Sequence, residues 1–172
     1  MSGLSVVEGW ILRKGWITNM KKRYYLAYGS NLNVRQMKGR CPDARVLGTG
    51  EIPDYRLLFK GSKSGYYLTI EKQEGSKVPV AVWEVSAADE LRLDQYEGCP
   101  VFYYKKEMPI TFKGLQTGRK RTREAFVYIM HEERLLGIPS VRYLETCLEG
   151  YRFFGFDEKI LRKAMDDSWE GL

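Results

Sequence analysis

Histidine is nearly absent from this 172-residue chain, which holds only His131. A histidine-based metal site, a Ser-His-Asp triad with spare histidines and an HExxH protease are therefore excluded or nearly so. Cysteine is also sparse. Cys41, Cys99 and Cys147 are an odd number at wide spacing, with no CxxC. They read as reduced cytosolic thiols, which sets the expected location as cytoplasmic, and not as a disulfide framework or a zinc site. No run approaches the roughly 18 apolar residues that a membrane helix needs, so no membrane partner is expected. The first stretch, residues 1–19, is a poor signal peptide, because Arg13 and Lys14 interrupt its apolar run and no small-residue cleavage site follows. Repeats, low-complexity tracts and linker-like shifts in composition are missing too. One domain over residues 20–172 is expected, with 1–19 as a leader or upstream extension outside the core fold and Met20-Lys21-Lys22-Arg23 resembling an ordinary bacterial start.

What is present is a globular composition, 44% hydrophobic and 29% charged, long enough to bury one sizeable core without disulfide staples. Aromatics reach 13%, with 12 tyrosines, which suits clefts lined by amphipathic rings. Lys+Arg 28 against Asp+Glu 22 leaves a net charge of +6. That surface suits acidic small molecules or loose contact with nucleic acid and decides between neither.

The pattern along the chain predicts a mixture of strands and short helices. Tyr24 to Tyr28 is an apolar, aromatic run of strand length that stops at Gly29, and a short helix is expected within Asn31 to Cys41, ended by Pro42. Arg45 to Gly50 and Tyr55 to Lys60 read as two strands separated by a Pro-Asp break. Tyr66 to Glu71 and Val78 to Val85 flank an expected polar turn, Lys72 to Lys77. Ser86-Ala87-Ala88-Asp89 is a capping signature for a helix running to about Tyr96, with Gly98 beyond its end. Val101 to Phe112 and Glu124 to Met130 read as a hairpin joined by the basic loop Gly114 to Arg123. Val141, Leu144, Leu148 and Tyr151 follow helical spacing, and a last helix is expected over Asp157 to Met165. Six or seven strands with a few short helices, unevenly interspersed, predict an α+β domain around a curled or closed sheet.

Two strings carry chemistry. Tyr28-Gly29-Ser30-Asn31-Leu32 follows the first strand and precedes a helix. Glycine there permits φ > 0 or close backbone approach, and consecutive N–H groups at the next helix start form a cradle for a carboxylate or phosphate. The same letters also fit a plain strand-to-helix turn with Ser30 or Asn31 as the cap. In Leu93-Asp94-Gln95-Tyr96-Glu97-Gly98, Glu97 falls in the last helical turn, where the macrodipole disfavours negative charge. Set in a Tyr-lined cleft, its pKa would rise further by desolvation, as a general base near neutral pH requires. A solvated helix-end glutamate is the alternative.

Taken together and in order, the YGSNL turn, Gln95-Tyr96-Glu97-Gly98, and Pro139-Ser140-Val141-Arg142-Tyr143 resemble the AIG2-like γ-glutamylcyclotransferase family over Tyr24 to about Leu161. The resemblance implies a small mixed β-barrel flanked by a few short helices, with a site beside the first turn. It implies that Glu97 is catalytic. It puts the glutamyl-binding residues at Tyr25, Leu26, Ala27, Tyr28, Gly29 and Ser30, with Tyr143 and a strand tyrosine, Tyr128. The implied partner is a small γ-glutamyl compound, with no metal and no cofactor. Relatives often carry small residues where this chain has Tyr66-Tyr67-Leu68-Thr69-Ile70, and bulk there would narrow or reshape the cavity.

The implied reaction has its own chemical logic. A γ-glutamyl compound carries its nucleophile, the α-amine, within ring-closing reach of its γ-carbonyl. Attack closes 5-oxoproline and expels the amine, so no covalent enzyme nucleophile is required. Other readings are weaker. Cys99 lacks a histidine to activate it and reads as a buried structural thiol. His131 reads as an exposed loop residue, and Asp166-Asp167 as a solvated helix end. The runs Arg119-Lys120-Arg121-Thr122-Arg123 and Tyr103-Tyr104-Lys105-Lys106 mix cations with rings, as weak nucleic-acid binders do, but more commonly mark a soluble hairpin tip. No nucleic-acid partner is expected. A non-catalytic γ-glutamyl or small-anion binder is the other class kept open.

Overall fold

The computed structural model describes residues 21–172; the expected extension at 1–19 and the start at Met20 lie outside them. Six strands are present among the described residues: β1 (Arg23–Ala27), β2 (Arg45–Ser62), β3 (Gly65–Val85), β4 (Tyr103–Gly114), β5 (Lys120–Met130) and β6 (Leu135–Leu136). Four α-helices accompany them in the same residues: α1 (Val34–Arg40), α2 (Ala87–Glu97), α3 (Val141–Phe154) and α4 (Glu158–Glu170). The sheet runs β3-β1-β5-β4-β2, and β2 pairs back onto β3, so five strands close into a barrel with β6 added to β2. All pairings are antiparallel except β1 with β5, where Tyr25 sits opposite Phe126. This is the expected α+β barrel with flanking helices.

Closure explains the sequence of β1. Tyr25, Leu26 and Ala27 are all buried, because one face of the strand looks into the barrel and the other lies under covering structure. The strand therefore reads as a continuous apolar run.

Three boundaries differ from the sequence reading. Arg45–Gly50 and Tyr55–Lys60 form one strand, because the Pro53-Asp54 break is absorbed as a register shift: Pro53 faces Lys77, and Tyr55 faces Lys72. Asp54 takes a positive φ of 59° there, and its Oδ1 accepts from the Gly75 N–H at 3.0 Å. The expected turn Lys72–Lys77 is thus the irregular middle of β3. The basic loop is also shorter than expected, since Lys120 to Arg123 already belong to β5 and only residues 115–119 turn. The last helix continues to Glu170, with Asp157 as its N-cap and Ser168 Oγ accepting from the Phe59 N–H of β2.

Two features place the site. The Ser30–Leu32 stretch forms a short helical turn directly after β1, and Asn33 caps α1 behind it by accepting from Gln36 N. Helix α3 lies on that turn, with Gly150 at the contact: a Cβ there would come within 2.4 Å of Leu32 Cβ and 2.7 Å of its backbone carbon. Only glycine lets the two backbones approach so closely.

Candidate functional site

Glu97 ends α2. Its helix starts at Ser86, whose hydroxyl accepts from Asp89 N, and stops at Gly98 in the left-handed conformation with φ 62°. The reversal at Gly98 sends the chain away and leaves the Glu97 carboxylate against the end of the barrel. Burial pushes its pKa up to about 7, against a pull downward from Arg40 and from a hydrogen bond donated by Asn31.

That hydrogen bond joins the two strings singled out in the sequence. Asn31 Nδ2 donates to Glu97 Oε1 at 3.0 Å and to Tyr25 Oη at 2.9 Å. Both of its amide protons are thereby accounted for. Its oxygen accepts from Arg40 Nη1 at 2.5 Å. Arg40 is held in turn by Gln36 Oε1 and Tyr96 Oη, both at 2.6 Å, and its guanidinium lies 3.8 Å from the Tyr96 ring centre.

Around the carboxylate the barrel end is lined with tyrosines. A small chamber of about 30 Å³ is bounded by Tyr25, Tyr28, Gly29, Ser30, Asn31, Leu68, Glu97, Tyr103, Tyr128 and Tyr143. Most of these hydroxyls are committed. Tyr28 donates to Tyr128 O (2.6 Å), Tyr103 to Leu68 O (2.8 Å) and Tyr128 to Asp94 Oδ1 (2.6 Å). Tyr143 accepts from Leu68 N–H at 3.1 Å. Burial raises the pKa of Tyr25, Tyr28, Tyr103 and Tyr143 well above the usual phenol value, so they serve as neutral hydrogen-bonding groups.

The chamber shares Ser30, Glu97, Tyr103 and Tyr143 with a wider cleft of about 320 Å³, which adds Tyr67, Gln95, Tyr96, Gly98 and Phe102. Tyr67 stands edge-on to Tyr143, ring centres 5.1 Å apart, and to Phe102 at 6.3 Å. A polar pocket around one neutral-range carboxylate, opening into an aromatic cleft, can hold a compact polar group at its base and a second group outside. Among the described residues no cluster of three or more His, Cys, Asp or Glu side chains could hold a metal ion.

The family model described as "Gamma-glutamyl cyclotransferase, AIG2-like" matches residues 25–145, the span from the chamber's first tyrosine to just past its last. This chain belongs to that family. A human gamma-glutamylcyclotransferase is 26% identical over 134 residues, covering 73% of this chain and 68% of the human protein. A solved gamma-glutamyl cyclotransferase structure is 25% identical, with a TM-score of 0.70 over 84% of this chain and 86% of that one. A yeast gamma-glutamyl cyclotransferase specific to glutathione, 10% identical, shares the fold at a TM-score of 0.52 over 86% of this chain and 95% of its own.

Against this cyclotransferase frame, the residues named from sequence divide cleanly. Glu97, Tyr25, Tyr28, Gly29, Ser30, Tyr128 and Tyr143 meet around one chamber. Leu26 and Ala27 do not line it: both are fully buried in the core, opposite Val82 and Ala81 of β3. Gly29 has φ −120°, so close approach and not a left-handed turn is its use; a Cβ would lie 3.2 Å from Tyr143 Oη. The sequence reading missed Asn31 as a ligand of Glu97, and it missed Arg40, Tyr103 and Phe102. The signal for Asn31 was inside the quoted string, where it was read as a cap. Tyr67 and Leu68, flagged as bulky, line the cleft and the chamber respectively.

The weaker candidates fall elsewhere. Cys99 is partly exposed where a buried thiol was expected. His131 is half-buried, its Nε2 2.6 Å from Pro100 O and its ring 5.2 Å from that of Tyr104. Asp167 lies inside α4, paired with Lys163 at 2.8 Å, where a helix end was expected. In the Tyr103–Lys106 run, Tyr103 is buried, Lys105 pairs with Glu90 (2.6 Å) and Asp94 (2.9 Å), and Lys106 donates to Tyr55 Oη (3.0 Å). These groups are occupied within the fold. Among the described residues no helix is long and apolar enough to cross a membrane.

Proposed function

We propose that this chain closes a γ-glutamyl compound on itself, releasing 5-oxoproline and a free amine or amino acid, with Glu97 as the acid/base. The observation that carries the reading is the Glu97 carboxylate, raised by burial to about 7 and hydrogen-bonded to Asn31 in the turn after β1. Membership of the cyclotransferase family supports it independently.

The chemistry asks little else of the protein. The substrate's α-ammonium has a reference pKa of about 8 and cannot attack while protonated. A base near 7 can take that proton without being permanently discharged at neutral pH. The freed nitrogen attacks the γ-carbonyl carbon, a new C–N bond closes the five-membered ring, and the carbonyl electrons move onto oxygen. Collapse of that oxyanion breaks the bond to the departing nitrogen, to which Glu97 returns the first proton; the second proton shed by the ring nitrogen passes through Glu97 to the released amine, which leaves as an ammonium. Holding the glutamyl chain folded captures part of a proximity effect worth up to roughly 7–11 kcal/mol.

The chamber supplies the groups for that folding. Tyr25 accepts from Asn31, which leaves its own O–H to donate to a bound ligand. The N–H groups of Ser30 and Asn31 open a helical turn and have no acceptor within it, which suits them to receive a carboxylate or the developing oxyanion. The aromatic cleft of Tyr67, Phe102 and Tyr96 receives the departing amine. The expected setting is the cytoplasm, where free thiols persist.

The test is a mass-spectrometric screen for 5-oxoproline from γ-glutamyl dipeptides, γ-glutamylamines and glutathione, with Glu97→Gln as control. Release that needs Glu97 supports the reading, and the fastest substrate names the leaving group. Binding of these compounds without any release would favour the non-catalytic γ-glutamyl binder instead.

A further inference from the structure

Arg40 is a cation without an anion. Its guanidinium makes three hydrogen bonds, all to neutral oxygens on Asn31, Gln36 and Tyr96, and no carboxylate among the described residues lies within ion-pair distance of it. A guanidinium set beside a buried cleft usually meets a carboxylate or phosphate in bidentate fashion. Here it grips an amide oxygen, and the same amide presents its nitrogen to Glu97.

The Asn31 amide has two orientations of nearly equal shape. One points its nitrogen at Glu97 and Tyr25; the flipped one points its oxygen at the carboxylate, placing two acceptors face to face. The Arg40 contact selects the first, because a guanidinium donates only and must meet the amide oxygen. Stacking on Tyr96 and the bond to Gln36, one turn back on α1, fix where the guanidinium sits.

We propose that Arg40 is a positioning residue for the reaction: by holding the Asn31 oxygen it aims the Asn31 nitrogen at Glu97, and it supplies the positive charge that keeps this enclosed carboxylate able to ionise. The proposal rests on the reading of Glu97 as acid/base. The surroundings leave Arg40 little competition. From β1 Tyr25 faces the carboxylate, and Tyr28 just after that strand; from β4, Tyr103; from β5, Tyr128; from α3, Tyr143, with Cys99 just beyond α2, and all are neutral at pH 7. Asp94 on Glu97's own helix is tied to Lys105, which also pairs with Glu90. The pull of Arg40 on Glu97 opposes the effect of burial in the same direction as the geometry implies.

The experiment follows the Glu97 carboxyl carbon by NMR in 13C-glutamate-labelled full-length protein, beside kcat/KM against pH, for wild type, Arg40→Met and Arg40→Lys. Arg40→Met should move the Glu97 midpoint, and with it the acid limb of kcat/KM, upward by about one pH unit or more, so that loss of activity is severe at pH 6 and largely recovered at pH 9. Arg40→Lys, which keeps the charge, should titrate close to wild type. Should Arg40→Met fail to fold, Arg40→Gln gives the same reading, since it removes the charge while keeping a hydrogen-bonding side chain beside Asn31 and Tyr96, and it should raise the midpoint likewise. A midpoint unmoved in Arg40→Met, or moved as far in Arg40→Lys, overturns the proposal. The carboxyl titration needs no turnover, so it stands apart from the 5-oxoproline assay. Absence of release from wild type would sink the cyclisation reading and leave the Arg40 result to be judged alone.

Discussion

The Asn31 side-chain nitrogen lies 3.0 Å from the Glu97 carboxylate, although 66 positions separate the two residues in the chain. The bond ties the turn that begins the site to the helix that ends in its carboxylate. It makes the site a single hydrogen-bonded unit, with Tyr25 and Arg40 as its other members.

Glu97→Gln is isosteric and keeps an acceptor for Asn31. It should reduce 5-oxoproline release by about 10²-fold or more, the usual scale for a lost general base, while glutamyl binding changes little. Quantitative mass spectrometry with a ligand-binding isotherm would check both halves; full activity in the variant would refute the role given to Glu97.

The raised pKa of Glu97 has opposite consequences for activity and stability. The base role proposed for Glu97 needs the carboxylate, so kcat/KM should climb as pH rises through about 7. Stability runs the other way. In the unfolded chain this group ionises near pH 4.3, so between there and about 7 the folded protein binds the extra proton and is favoured at the lower pH. That advantage is complete below the unfolded value and lost as pH passes the folded one. Denaturant melts of wild type and Glu97→Gln should therefore diverge between pH 5 and 8, with the variant relatively more stable at pH 8.

Gly150→Ala forces a Cβ to within 2.7 Å of the Leu32 backbone. The helix must shift, at a cost of about 1–3 kcal/mol, which for a chain of this size lowers Tm by several degrees. Because the displaced turn carries Ser30 and Asn31, KM should rise along with the loss of stability. Calorimetry and steady-state kinetics on the same preparation would show whether the two move together.

Gly29→Val acts from inside the chamber. Its branched side chain would press on Tyr143 Oη and Leu68, which lie 3.2 and 3.5 Å from a Cβ at that position. Substrate binding should weaken by about tenfold or more, with a smaller change in Tm than for Gly150→Ala. Equal losses of stability in the two variants would show that the glycine serves the fold and not the ligand.

Tyr67 lines the outer cleft, edge-on to both Tyr143 and Phe102, where the departing group is proposed to sit. Tyr67→Ala widens the cleft without reaching the carboxylate. It should change the ranking of leaving groups, narrowing the difference between large and small ones, while the smallest keeps its kcat/KM within a few-fold. Competition assays with paired substrates measure that ratio directly.

Much of this arrangement was legible in the residue order. Helix α2, its Ser86 cap and its Gly98 stop follow from local rules, so Glu97 could be placed at a helix end. The turn after β1 was equally plain. Where local signals conflicted with pairing, pairing prevailed: Pro53-Asp54 reads as a break, yet β3 supplies a matching irregularity and the long strand continues through it. Leu26 and Ala27 belong to the matched string and so were expected at the ligand, but both are fully buried against Val82 and Ala81 of β3, and of the three only Tyr25 is long enough to line the chamber. Arg40 carries no local signature at all. Its meaning depends on Asn31, nine positions away, and on Tyr96, which only the closed barrel brings alongside.

The tight turn between β4 and β5, residues 115–119, is exposed throughout and lies at the far end of a hairpin whose other end carries Tyr103 and Met130. The intervening strand spans roughly 35 Å. An affinity tag, a surface anchor or a fluorescent reporter spliced in near Thr117 would therefore hang from the molecule like a handle, leaving the chemistry at the opposite pole free to work.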